Sequence, residues 1–187
     1  MHMRLPVRER VLMALLSGAV LLGWAANASA NPATPAPEVR SLLGQPQELG
    51  AGQFRWLGFK VYEAQLFAPQ GQGFDRNGAY ALEIEYARKI KRKILLKASM
   101  DEMIRIEGER SDHGQIQQKL TACYRDIQPG DRIVASPNGG NVLKFWVNGQ
   151  STCTLQHNGI RDRYMAIWLS DKARDRGFAQ QVLARQK

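Results

Sequence analysis

The chain is 187 residues long, with 44% hydrophobic, 23% charged and 8% aromatic residues. That balance suits one globular domain and excludes collagen, extended disorder and a dense disulfide scaffold. Lys and Arg number 26 against 17 Asp and Glu, a formal net charge of +9, which raises nucleic acid as a partner to be tested against the rest of the chain.

Arg4, Arg8 and Arg10 precede an uncharged run from Val11 to Trp24, and Ala28-Ser29-Ala30 follows. A basic opening, a short apolar run and an A-x-A site predict a secretory signal peptide over residues 1–30, cleaved after Ala30. A bilayer span would need about 20 apolar residues, more than this run offers. Cleavage removes three Arg and one Glu, so +9 becomes +7 on a chain of 157 residues. The expected compartment is the periplasm, where a basic surface meets anionic headgroups, acidic polymers or carboxylate ligands more readily than nucleic acid. No DNA- or RNA-binding module is legible.

Residues 31–49 open with the Pro/Ala-rich NPATPAP and read as a flexible lead-in to a single domain over 50–187. Phe54 to Phe67 reads as a strand pair or one bent strand, with Gly58 at the bend. Tyr80 to Tyr86 alternates: Tyr80, Leu82, Ile84 and Tyr86 face one way, and Glu83 and Glu85 face solvent on the other. From Lys89 to Ile106 the period becomes helical. Ser99-Met100-Asp101-Glu102 either caps a second helical segment or lies inside a longer one. Gln115 to Tyr124 puts Ile116, Leu120 and Cys123 on one helix face. Arg132–Ala135 and Val142–Val147 are strands, Asn148-Gly149 is a type I′ hairpin signal, and Gln150–Leu155 is the returning strand. Arg161–Leu169 and Lys172–Arg185 read as helices. The order predicts an α+β fold, an antiparallel sheet with helices on one face.

No nucleophile elbow, zinc motif, P-loop or dinucleotide fingerprint occurs, so neither a metal nor a cofactor is expected. Cys123 and Cys153 are an even pair, which in an oxidising compartment suggests one disulfide; two buried free thiols are the alternative. Such a bridge, closing about thirty residues, would add roughly 3–4 kcal/mol. His113 and His157 stand alone and read as ordinary surface or core histidines. Arg88, Lys89, Lys91, Arg92 and Lys93 form the densest charge run, either a solvated helix face or a site for an anionic surface or protein partner. Cations at a helix N-terminus oppose the macrodipole, so helix stability does not account for them. Arg55, between Phe54 and Trp56, has the planar donor fork that suits a carboxylate or enolate, and Tyr62 could add a hydroxyl. Alternatively, Trp56 and Tyr62 are core and Arg55 is exposed.

GAGQFRWLGFKVYEAQLFAP (50–69), ALEIEYARKI (81–90), SMDEMIRI (99–106), GDRI (130–133), WVNGQ (146–150) and IWLSD (167–171) occur in the order seen in bacterial secreted chalcone isomerase-like proteins, which this chain resembles over Gly50 to Asp171. The resemblance implies an open-faced β-sandwich, a curved antiparallel sheet covered by helices with a ligand cleft between. Enzymes of that family cyclise their substrate without a cofactor, using an Arg, a Thr and a Tyr. Relatives with the same fold bind fatty acids. Tyr62 stands at the enzymes' threonine position, Arg55 lies where their arginine could be supplied, and no Tyr occupies Lys91 to Ile94, where their tyrosine falls. The expected function is therefore a non-catalytic binding or accessory protein for a small apolar or fatty-acid-like ligand, its head met by Arg55 or Tyr62. The alternatives are an intramolecular lyase (isomerase) on a phenolic or enone substrate, and a structural protein that engages a protein or membrane surface.

Overall fold

A computed structural model describes residues 34–184. The expected signal peptide and its cleavage site lie outside the described residues. The described elements are α1 (Pro37–Leu43), β1 (Pro46–Trp56), β2 (Phe59–Pro69), β3 (Ala81–Tyr86), α2 (Arg92–Glu107), α3 (His113–Cys123), β4 (Arg132–Pro137), β5 (Val142–Val147), β6 (Gln150–Gln156), α4 (Ile160–Leu169) and α5 (Arg176–Leu183).

The strands form one antiparallel sheet in chain order, β1 to β6. The β1–β2 connection is tight: Leu57 and Gly58 both take positive φ, 48° and 80°, as in a type I′ turn. Asn148 and Gly149 repeat that geometry between β5 and β6, as their dipeptide predicts. The inner face carries Leu66, Leu82, Ile84, Ile133 and Phe145, all buried beneath the helices. Ser99 falls inside α2, so that stretch is one continuous helix. Ile116, Leu120 and Cys123 face the core from α3 as their spacing predicts.

Gly52 is required by close approach. A Cβ there would fall 2.5 Å from Asp175 Oδ2 and 2.6 Å from Phe178 Cβ, so α5 can lie flat on β1 only over a glycine.

The lead-in expectation is corrected. Ala36, Val39 and Leu43, in and just before α1, are buried on the outer face of the sheet against Phe67, Ala81 and Val134. Burying Val39 and Leu43 contributes about 1.5–3 kcal/mol each, enough to order a short helix whose Pro37 already fits its first turn. Glu83 is corrected with it. It lies on the outer face but is 4% exposed, accepts a hydrogen bond from the Ala36 amide at 3.0 Å and sits 3.8 Å from Arg132. Burial, the largest influence, raises its carboxyl above the ordinary value against those two partners. Glu85 remains exposed.

Cys123, the last residue of α3, is disulfide-bonded to Cys153 in β6, with the Cα atoms 5.0 Å apart. His113 and His157 are neither isolated nor at the surface. Their Nε2 atoms meet Glu107 at 2.7 Å and Asp112 at 3.0 Å, and Arg163 of α4 bridges both carboxylates. This cluster ties the α2–α3 connection to α4.

Candidate functional site

A cavity of about 690 Å³ opens between the inner face of β1–β3 and the helices α2 and α4. Its volume falls in the range of small-molecule pockets, roughly 300–1,000 Å³. Its wall is mainly apolar, with Phe54 and Val61 from the hairpin, Leu95 and Ile94 from α2, and Ile167 and Trp168 from α4. Six charged residues line it: Lys89, Lys91, Asp101 and Arg174 are exposed and form its rim, and Glu102 and Asp175 are half-buried.

Strand alternation explains which hairpin residues enter. Phe54 pairs with Tyr62 across the ladder, and the rings stack at 5.3 Å between centroids. Tyr62 meets Tyr86 of β3 edge-on at 5.8 Å. The Tyr62 hydroxyl accepts a hydrogen bond from the indole N–H of Trp168 at 3.1 Å. Burial pushes the Tyr62 hydroxyl up to about 12, the indole bond lowering it only in part, so the group is neutral at physiological pH. Tyr86 is 4% exposed, and its hydroxyl has no hydrogen-bond partner among the described residues. Burial again drives its pKa well above the ordinary value.

Behind the wall runs a chain of hydroxyls. Ser99 Oγ, on the cavity side of α2, lies 3.0 Å from Tyr124 Oη, which lies 2.7 Å from Tyr164 Oη. Burial lifts Tyr124 to about 12 and Tyr164 well above its ordinary value. The deep wall therefore presents neutral hydroxyls in an apolar setting. It offers hydrogen bonds to an oxygen function but no buried counter-charge.

The two expected ligand-binding residues separate. Tyr62 lines the cavity. Arg55 does not: it points to the other side of β1, exposed, and donates to the Gly58 carbonyl at 3.1 Å and to Gln53 Oε1 at 3.4 Å. Ordinary alternation along β1 sets this direction: Phe54 and Trp56 face the cavity, and Arg55 between them faces away. The arginine needed beside a reacting ketone in the lyase reading is thus not supplied by Arg55. Sequence reasoning placed Tyr86 on the buried face of its strand without giving it a site role. It used Trp168 only within the IWLSD motif. The alternating aromatic positions of β2 and β3 were the available signal.

Of the Arg88–Lys93 run, only Arg92 and Lys93 lie in α2; Arg88, Lys89 and Lys91 precede it. Lys91 Nζ pairs with Asp126 at 2.8 Å, and Asp126 also accepts the Arg92 amide at 2.9 Å. An acidic side chain therefore satisfies the helix start and offsets the charge against the dipole. Lys89 forms no ion pair among the described residues, and Arg88 lies over the Phe59 ring at 4.5 Å.

No curated protein matches the chain. Among solved structures it is similar to a fatty-acid binding protein of Arabidopsis thaliana, with a TM-score of 0.61 at 13% identity, covering 82% of this chain and 90% of that one. That likeness shows a shared fold. The family model described as chalcone isomerase-like matches residues 47–184, from the second residue of β1 to the end of the described chain. The chain belongs to the chalcone isomerase-like family.

Proposed function

We propose that the protein is exported to the periplasm and there holds one small, mainly apolar molecule, of fatty-acid type, without transforming it. The observation that carries this reading is the cavity of about 690 Å³ with apolar walls and a charged rim. Each buried CH₂ of a ligand chain contributes roughly 0.8 kcal/mol, so a medium-length chain binds without any deep charge. An anionic head is best met at the rim, where Lys89 lines the opening and is not spent on an ion pair. The name of the similar Arabidopsis protein supports a fatty-acid type of ligand. The Cys123–Cys153 bond supports an oxidising compartment.

The test is uptake of the fluorescent probe 11-(dansylamino)undecanoate, followed by extraction and mass spectrometry of whatever co-purifies. Wild type takes up the probe with enhanced emission. Ala98→Trp, which puts a large ring on the cavity wall, lowers uptake about tenfold. A wild type that takes up no probe, or an Ala98→Trp variant that takes up as much, sinks the reading. The N-terminal mass of protein recovered from cells tests export: processing at Ala30 gives a chain starting at Asn31.

A further inference from the structure

Four large apolar side chains in one region stay open to solvent: Trp56 at 62%, Leu57 at 81%, Phe59 at 58% and Ile94 at 53%. The first three form the apex of the β1–β2 hairpin, and Ile94 lies in the first turn of α2. Trp56 and Ile94 line the same cavity, so the two elements meet at its opening. Leu57 is doubly unexpected, being exposed and also at positive φ, where Asn or Gly is at home.

Charge follows in layers. One rung behind the Trp56–Phe59 pair, the cross-strand pair is Arg55 with Lys60. Beside it Arg88 covers Phe59, and Lys89, Arg92 and Lys93 are exposed and form no ion pair among the described residues. An apolar apex backed by cations mirrors an anionic bilayer, whose hydrocarbon lies beneath its phosphates. Trp, Phe and Leu with Lys or Arg behind them are the side chains that settle at that boundary.

We propose that the hairpin apex and the start of α2 form one docking face for an anionic lipid surface, with the cavity opening beside it. The docking stands on exposed side chains and charge, so it holds whether or not the cavity takes a fatty-acid-like ligand. What it adds to that reading is a source for the ligand, drawn from the membrane at the contact. A convex apex of four residues suits a fluid interface better than the flat, closely matched patch of a protein partner.

The experiment uses protein recovered from the cell envelope and vesicle flotation. Vesicles of phosphatidylethanolamine and phosphatidylglycerol are compared with vesicles of phosphatidylcholine. Wild type floats with the anionic vesicles, and raising salt from about 0.1 to about 0.5 M weakens this. Leu57→Asp with Phe59→Ser lowers partition about tenfold, and so does Arg92→Glu with Lys93→Glu. None of these four residues lines the cavity, so both variants take up 11-(dansylamino)undecanoate in solution as wild type does, and thermal unfolding confirms that they fold. Equal partition on the two vesicle types, or wild-type flotation by either variant, overturns the proposal. So does a wild type that ignores vesicles but is retained by immobilised polyglutamate through Leu57, which points to an acidic protein partner. Flotation without probe uptake would uphold the docking face and sink the ligand reading alone.

Discussion

The indole N–H of Trp168 donates to the hydroxyl of Tyr62 at 3.1 Å, joining α4 to β2 across 106 residues of chain. The bond closes the inner wall of the cavity and fixes the ring that stacks on Phe54. Tyr62→Phe keeps the ring and removes the acceptor. It should cost about 1–3 kcal/mol, because the indole N–H is left without its partner. Denaturant unfolding measures this, and an unchanged midpoint would show that water replaces the hydroxyl.

All five tyrosines of the chain (Tyr62, Tyr80, Tyr86, Tyr124 and Tyr164) are raised above 10.0, each chiefly by burial. The folded state keeps their protons longer than the unfolded state does. Stability should therefore be flat with respect to these groups below pH 10 and fall above it, by roughly 1.4 kcal/mol per pH unit per tyrosine. Tyrosinate absorbance should rise in one step together with loss of near-UV circular dichroism. A tyrosine ionising near pH 10 in the intact fold would contradict this.

Arg163, with 9% of its side chain exposed, bonds Glu107 and Asp112 at once. Burial raises Glu107, but hydrogen bonds from Arg163 and His113 outweigh it and hold the carboxyl below its ordinary 4.5. That lowering stabilises the fold above pH 4.5 and is lost as the pH falls through the depressed value. Glu107→Gln should therefore flatten the acid limb of the stability curve. Arg163→Leu should lower stability at pH 7, since it leaves the part-buried Glu107 carboxylate without its guanidinium partner. Urea titrations across pH 3 to pH 7 read both effects, and parallel acid limbs for wild type and Glu107→Gln would refute the first.

The Cys123–Cys153 bond fastens α3 to β6. Replacing both cysteines by Ala should lower stability by about 3–4 kcal/mol, chiefly by freeing the unfolded chain. A reductant should shift the unfolding midpoint of wild type by the same amount and leave the double variant unmoved. A reductant shift in the double variant would show that the agent acts elsewhere.

Local signals were legible where the residues that decide an element lie within a few positions of each other. The alternation of Tyr80 to Tyr86, the i, i+4, i+7 face of Ile116, Leu120 and Cys123, and the Asn148-Gly149 turn each determine their own backbone. The motifs from Gly50 to Asp171 carried the family and with it the inner-face cleft. What escaped depends on distant partners. Glu83 has the pattern of a solvated residue, and its burial depends on partners far along the chain, the Ala36 amide 47 residues upstream and Arg132. Arg55 and Phe54 are neighbours on β1 and so face opposite sides of the sheet, and which side becomes the cavity is decided by α2 and α4, far along the chain. Tyr86, Trp168 and the Ser99–Tyr124–Tyr164 chain converge from three elements and a connecting loop, and no spacing in the sequence encodes that convergence.

The anchoring of α2 decides how anything reaches the cavity. Asp126 clips its first turn through Lys91 and the Arg92 amide, and the Arg163 cluster clamps its last residue, Glu107. Held at both ends, the helix is a fixed beam over the opening rather than a hinged door. The β1–β2 apex is held only by its ladder, the Arg55 bonds and the Arg88 guanidinium over Phe59, so the strand side of the opening, at Trp56, is the less firmly anchored one. The side of the opening with the weaker anchoring is thus also the one where the protein's own aromatic edge is already wet.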